Sequence, residues 1–159
     1  MDTALKTKLP DEEKAAGAPA PLAKNVHTLD EHIVEIVSDS GEGAQKCGQS
    51  FAAIAARKGN GIWTVEIIPA EIQPPARSIE GASGNRIRVG ASSVTNGGDE
   101  TNLVVAFNEQ VLLGRVREGE LKHGATILLE NKWRNDRDPA IVGSYLQAYE
   151  NLLEAGYQV

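Results

Sequence analysis

Cysteine is nearly missing, with Cys47 alone among 159 residues. An internal disulfide, a thiolate zinc site and an iron–sulfur cluster held by this chain by itself are thereby excluded. Any redox centre that serves the chain must be carried elsewhere. Aromatic residues make up only 4%, so the core falls to Val, Ile, Leu and Ala, a composition that suits a sheet covered by Ala-rich helices. No apolar run approaches the roughly 18 residues of a membrane-spanning helix, and the opening MDTALKTKLPDEEK has no signal-like hydrophobic segment. These absences predict a cytoplasmic protein with no membrane partner. Basic residues are outnumbered, 16 Lys and Arg against 22 Asp and Glu, and the formal net charge is -6. No stretch gathers them into a stripe able to track a phosphate backbone, which argues against a nucleic-acid partner. His27, His32 and His123 do not stand at metal-ligand spacing, and no Ser-His-Asp order is convincing. Neither a metal site nor a catalytic residue is therefore assigned.

What is present fits one domain: the length is ordinary for a single core, and 41% hydrophobic with 24% charged residues is a globular balance. Residues 1–28 mix Pro, Ala, Gly and charge without an apolar period, the profile of a disordered leader. The domain is expected over 29–159. HIVEIVS, His32 to Ser38, is a β-branched strand followed by turn formers. From Ala44 to Lys58, small and apolar residues recur at helical steps until Gly59-Asn60-Gly61. This predicts an amphipathic helix with Cys47 on its buried side. IWTVEII, Ile62 to Ile68, then completes a parallel crossover unit. Pro69 to Gly98 is a long irregular excursion, with RIRVG at Arg86 to Gly90 as a short strand at most. Strands follow at Leu103 to Phe107 and, after a turn at Lys122 to Gly124, at Ala125 to Glu130, with a short helix over Asn108 to Val116. A last helix starts after Pro139, buries Ile141, Tyr145, Leu146, Tyr149, Leu152 and Leu153, and stops at Gly156. The predicted fold is α/β, a Rossmann-like, open and mainly parallel sheet with helices on both faces in a single domain.

The sharpest local feature is SDSGEGAQKCGQ, Ser38 to Gln49, where a strand hands over to a helix. At the carboxyl edge of a parallel sheet such a turn directs free backbone N–H groups and the positive helix end outward, where they hold a phosphate or carboxylate. Gly41 and Gly43 let the backbone approach that anion. Lys46 stands where a dinucleotide fingerprint has its third glycine, so the motif is not a full G-x-G-x-x-G, and Glu42 repels anions. A glycine turn needed only for packing is the competing reading. Asn131 to Pro139, NKWRNDRDP, is a dense charged loop whose Trp and Arg favour use at an interface, against a merely solvated loop.

Four segments taken together carry a resemblance: SGEGAQKCGQSFAAIAARKG at Ser40 to Gly59, IIPAEIQ at Ile67 to Gln73, RIRVG at Arg86 to Gly90 and LVVAFNEQ at Leu103 to Gln110. In order and spacing the chain resembles the gamma domain of the 2-oxoacid:ferredoxin oxidoreductases, in the form fused to the front of the alpha subunit of 2-oxoglutarate-type enzymes. The likeness covers about Ile33 to Leu129. Gln73-Pro74-Pro75 departs from the R-G-G usual in that family, with Arg77, Arg86 and Arg88 as other sources of charge.

The resemblance implies a share in an assembly that oxidatively decarboxylates a 2-oxoacid with coenzyme A to acyl-CoA, carbon dioxide and reduced ferredoxin. It implies that this domain handles coenzyme A and assembly through Ser40, Gly41, Glu42, Gly43, Ala44, Gln45 and Asn108. Thiamine diphosphate, Mg and a 4Fe-4S cluster are then expected in other domains or a partner subunit, and ferredoxin is reached through the complex. The isolated domain is expected to be inactive. On this resemblance the chain is truncated at Tyr157-Gln158-Val159, before a domain that binds the pyrimidine of thiamine diphosphate. The alternative is a free-standing nucleotide-binding or regulatory module without a redox role.

Overall fold

The computed structural model describes residues 26–68 and 82–159. The predicted leader therefore lies outside the described residues except for 26–28, and so do Arg77 and most of the IIPAEIQ segment. Five strands, β1 (Glu31–Asp39), β2 (Gly61–Ile67), β3 (Ala82–Gly90), β4 (Thr101–Ala106) and β5 (Leu121–Leu129), form one sheet in the order β2-β3-β1-β4-β5. The β1, β4 and β5 strands are parallel, whereas β3 is antiparallel to both β1 and β2. Four strands thus run one way and β3 runs against them, giving the open, mainly parallel α/β sheet expected from the alternation of buried runs and helices.

Three helices cover the two faces: α1 (Ala44–Arg57), α2 (Glu109–Arg117) and α3 (Pro139–Glu154). Strand alternation separates two apolar clusters. Val34, Ile36 and Ile87 meet Ala44 and Ala52 of α1 on one face. On the other, Val37, Val104, Ala106 and Ile127 meet Val111 and Leu112 of α2 and Leu152 of α3. The α2 helix begins at Asn108, whose side chain accepts from the Val111 amide at 2.9 Å. The α3 helix begins with Pro139 behind the capping Asp138, whose Oδ1 accepts from the Ala140 amide at 2.8 Å.

Several expectations are corrected. Arg86 to Gly90 is the end of a full nine-residue strand, and it separates β1 from β2, so those two are not neighbours. Residues 82–85, ASGN, lack the β-branched signal because they are squeezed. The α1 helix lies so close that a side chain at Gly48 would meet Asn85 Cβ at 2.5 Å. The helix consequently buries a small-residue row, Ala44, Gly48 and Ala52, and leaves Cys47, Phe51 and Ile54 exposed. Cys47 is not the core residue that the periodicity predicts. The expected turn at Lys122 to Gly124 lies within β5, where Gly124 at φ 74° accompanies a register shift against β4. Its turn chemistry makes a bulge. On α3, Tyr145 and Leu152 are buried as expected, but Ile141 and Leu153 are exposed. Gln158 forms a parallel bridge to Thr126, and Tyr157 and Val159 pack on the core.

One buried charge crosses this architecture. Glu35 sits fully buried in the middle of β1. Its Oε1 takes Arg86 Nε at 2.8 Å and Arg115 Nη2 at 2.9 Å, and its Oε2 takes Arg115 Nε at 3.1 Å. Arg86 reaches on to Glu120, to Thr101 Oγ1 at 3.2 Å and to the carbonyls of Gly98 and Asp99 at 3.3 and 3.2 Å. Arg115 also pairs with Glu118 at 2.6 Å. Burial works against the Arg115 charge, yet the hydrogen bonds and attraction of Glu35, with Glu120 and Glu118, hold its pKa above the ordinary arginine value. Arg86, one of the residues named as another source of charge in place of the family's R-G-G, is consumed here. Arg88 is held likewise, by Glu31 and by Asn96 Oδ1 at 2.5 Å.

Candidate functional site

From β1 the chain crosses by α1 to β2 on one side, and from β4 it crosses by α2 to β5 on the other. The carboxyl ends of β1 and β4 are therefore adjacent strand ends whose connections diverge, the place where open α/β sheets form a crevice. Asp39 and Asn108 stand on its two sides and are joined by a hydrogen bond from Asn108 Nδ2 to Asp39 Oδ2 at 2.8 Å.

The glycine loop lines this edge. Ser40, Gly41, Glu42 and Gly43 are exposed, Ala44 is buried beneath them and Gln45 is half-buried. Gly43 caps α1 in the left-handed region at φ 94°, without a side-chain cap, and the first turn carries no acidic residue. Gly41 has φ 91°, and a Cβ at either glycine would meet nothing within 4 Å. These glycines are thus required by backbone conformation rather than by packing, and they leave open space over the helix start. Among the described residues the amides of Ala44, Gln45 and Lys46 have no hydrogen-bond acceptor.

The loop is held from beneath. Gln45 Nε2 donates to the Ile67 carbonyl at 3.3 Å, and Asn85 Nδ2 donates to the Gln45 carbonyl at 2.8 Å. The Asp39 amide donates to Glu42 Oε2 at 3.2 Å. The predicted residues therefore divide into two roles. Gly41 and Gly43 open the edge, whereas Gln45 spends its side chain on β2 and Asn108 spends most of its own on the α2 cap and Asp39. The second amide hydrogen of Asn108 has no acceptor among the described residues.

A cavity of about 340 Å³ opens beside the loop, lined by Glu42, Phe107, Glu130, Lys132 and Trp133. It unites the glycine loop with the charged NKWR segment, two features that the sequence presents as unrelated. The segment is a short 3₁₀ turn, Lys132–Asn135, placed at this edge because β5 ends here parallel to β4. The Lys132 ammonium lies 4.6 Å from the centre of the Trp133 ring. Nothing in the local sequence marks Phe107 or Glu130 as its neighbours; only the strand order does. Among the described residues no three His, Cys, Asp or Glu side chains gather to hold a metal ion, and no helix is long and apolar enough to cross a membrane.

Comparison with known proteins leads to the family that the sequence resembles, the 2-oxoacid:ferredoxin oxidoreductases. The 2-oxoglutarate oxidoreductase subunit KorA of Mycobacterium tuberculosis is 29% identical over 134 residues, which are 84% of this chain and 20% of that protein. The 2-oxoglutarate:ferredoxin oxidoreductase of Magnetococcus marinus, solved with 2-oxoglutarate, coenzyme A and succinyl-CoA bound, superposes with a TM-score of 0.56 at 22% identity, over 72% of this chain and 18% of that one. A keto/oxoacid ferredoxin oxidoreductase gamma subunit from Geobacter sulfurreducens gives a TM-score of 0.45 at 14% identity, over 79% of this chain and 81% of that one. The chain thus spans about a fifth of the length of the first two relatives. No protein-family model matches it.

Proposed function

We propose that this chain is the gamma domain of a 2-oxoglutarate-type 2-oxoacid:ferredoxin oxidoreductase and that it handles coenzyme A at the carboxyl edge of its sheet. The observation that carries this reading is the uncapped start of α1 beneath Gly41 and Gly43. Three backbone amides at the positive end of a 14-residue helix have no acceptor among the described residues, and a Cβ at Gly41 or Gly43 would meet open space, a setting that suits a diphosphate. Lys46 and Lys132 add cationic charge, and Asn108 offers its remaining amide hydrogen. Asp39 and Glu42 oppose an anion, so the backbone rather than net charge must supply the attraction. The relatives support the reading, since one is a 2-oxoglutarate oxidoreductase subunit and another was solved with coenzyme A.

On this reading the oxidation of the 2-oxoacid takes place on partner domains or a partner subunit that carry thiamine diphosphate, Mg and the 4Fe-4S cluster, and ferredoxin is reduced there. This chain binds and orients the thiol cosubstrate and contributes to assembly. Substitution at Gly43 tests it. In the complete enzyme, Gly43→Val places a side chain where backbone approach is needed and strains a left-handed residue, so the KM for coenzyme A rises about tenfold or more while that for the 2-oxoacid holds. Asn108→Ser keeps a capping oxygen for α2 but removes the amide donor, and it raises the same constant by roughly tenfold, the scale of one hydrogen bond to a charged group. If neither variant moves the coenzyme A constant, the loop is a packing turn and the domain serves assembly alone.

A further inference from the structure

The cavity beside the loop has a chemistry distinct from the helix start. We infer that it is a nucleobase slot, in which Trp133 and Phe107 take the adenine ring of the same coenzyme A whose diphosphate lies at α1. The inference rests on the proposed handling of coenzyme A and assigns its adenine end to residues outside the glycine loop.

Four observations carry it. The volume of about 340 Å³ lies at the small end of ligand pockets, as a site for one planar group requires. Two of its five lining residues are aromatic, in a chain where aromatics make up only 4%. Trp133 is a half-buried indole in the 3₁₀ turn after β5, already holding Lys132 against its ring at 4.6 Å, so it presents an electron-rich surface that a flat heterocycle can share. Glu42 and Glu130, from the glycine loop and the residue after β5, complete the lining with Lys132. They are acceptors for an exocyclic amino group, while Lys132 is a donor for a ring nitrogen. Carboxylates on the wall of a site for a polyanion are unfavourable unless the group beside them is a neutral hydrogen-bond donor. The aminopurine is the part of coenzyme A with that character. Because Glu42 directly precedes Gly43, slot and helix start are contiguous, as base and diphosphate are in the ligand.

The test uses fluorescence and calorimetry on the purified chain. Trp63 on β2 is the other tryptophan, so a Trp63→Phe background leaves Trp133 as the reporter. Coenzyme A is expected to quench its emission. Trp133→Leu should weaken coenzyme A about tenfold or more, the scale of one lost base stack, and Trp133→Tyr should retain most of the affinity. Binding of 4′-phosphopantetheine, which lacks the nucleoside, should be indifferent to both substitutions. If coenzyme A binds the wild-type chain and Trp133→Leu equally and without quenching, the slot is overturned while the coenzyme A reading stands. If Trp133→Leu weakens phosphopantetheine as much as coenzyme A, the residue acts on loop shape and the slot is again overturned. If coenzyme A does not bind at all, both readings fall.

Discussion

Glu35→Ala is expected to destabilise the domain by about 3–5 kcal/mol, the scale for removing one member of a buried ion pair. The effect arises less from the attraction lost than from what remains. Arg86 and Arg115 are drawn inward by the carboxylate, with side chains only 12% and 13% exposed, and without it their guanidinium groups keep the outer partners Glu118 and Glu120 but lose the buried one. Glu35→Gln, which keeps an acceptor without the charge, should lose less. Replacing Glu35, Arg86 and Arg115 together with apolar residues of similar volume should recover much of the loss, since a whole buried ion cluster exchanged for apolar volume is often near neutral. Urea denaturation of the three variants checks the ordering. A Glu35→Ala chain as stable as the parent would mean that water reaches the network freely.

That carboxylate shows what a linear reading passes over. HIVEIVS is legible as a strand because six of its residues sit comfortably in one, but the Glu at its centre is explained only by Arg86 and Arg115, 51 and 80 residues away. The elements governed by local pattern are legible in sequence: α1 and its stop, α2 behind Asn108, α3 behind Asp138-Pro139. The β3 strand is not, because its first half is selected for smallness between a helix and a neighbouring carbonyl, which removes the β-branched residues by which strands are recognised. The candidate site divides in the same way. Its glycine loop is visible as a motif because backbone conformation demands particular residues there. Its aromatic wall is not, because Phe107 follows β4 and Trp133 follows β5, and only the parallel pairing of those strands brings them to one cavity. A loop rich in charge and carrying one Trp signals use, but not the partner it faces.

Gly84→Ala should be among the most damaging single methyls at the described residues, lowering stability by about 3 kcal/mol or more. An added Cβ would stand 2.1 Å from the Ile36 carbonyl oxygen and 3.1 Å from Val37 Cα. The obstruction is backbone of the central strand, so no rotamer change relieves it, and overpacking of this kind forces strands apart. Gly84 pairs with Val37 on one side and Ile67 on the other. These partners lie two residues from the end of β1 at Asp39 and at the last residue of β2, so separation there displaces both the loop and the Ile67 carbonyl that anchors Gln45. On the proposed reading of the loop, coenzyme A affinity should therefore fall along with the melting temperature. Gly119→Ala supplies the contrast, because Gly119 has φ 72° with nothing within 4 Å of a Cβ. Its only penalty is the left-handed backbone, about 1–2 kcal/mol, and at the far end of α2 it should leave coenzyme A binding unchanged. Thermal melts with coenzyme A titrations on both variants separate the two cases: equal destabilisation would mean that β1 and β3 are not held at the observed spacing.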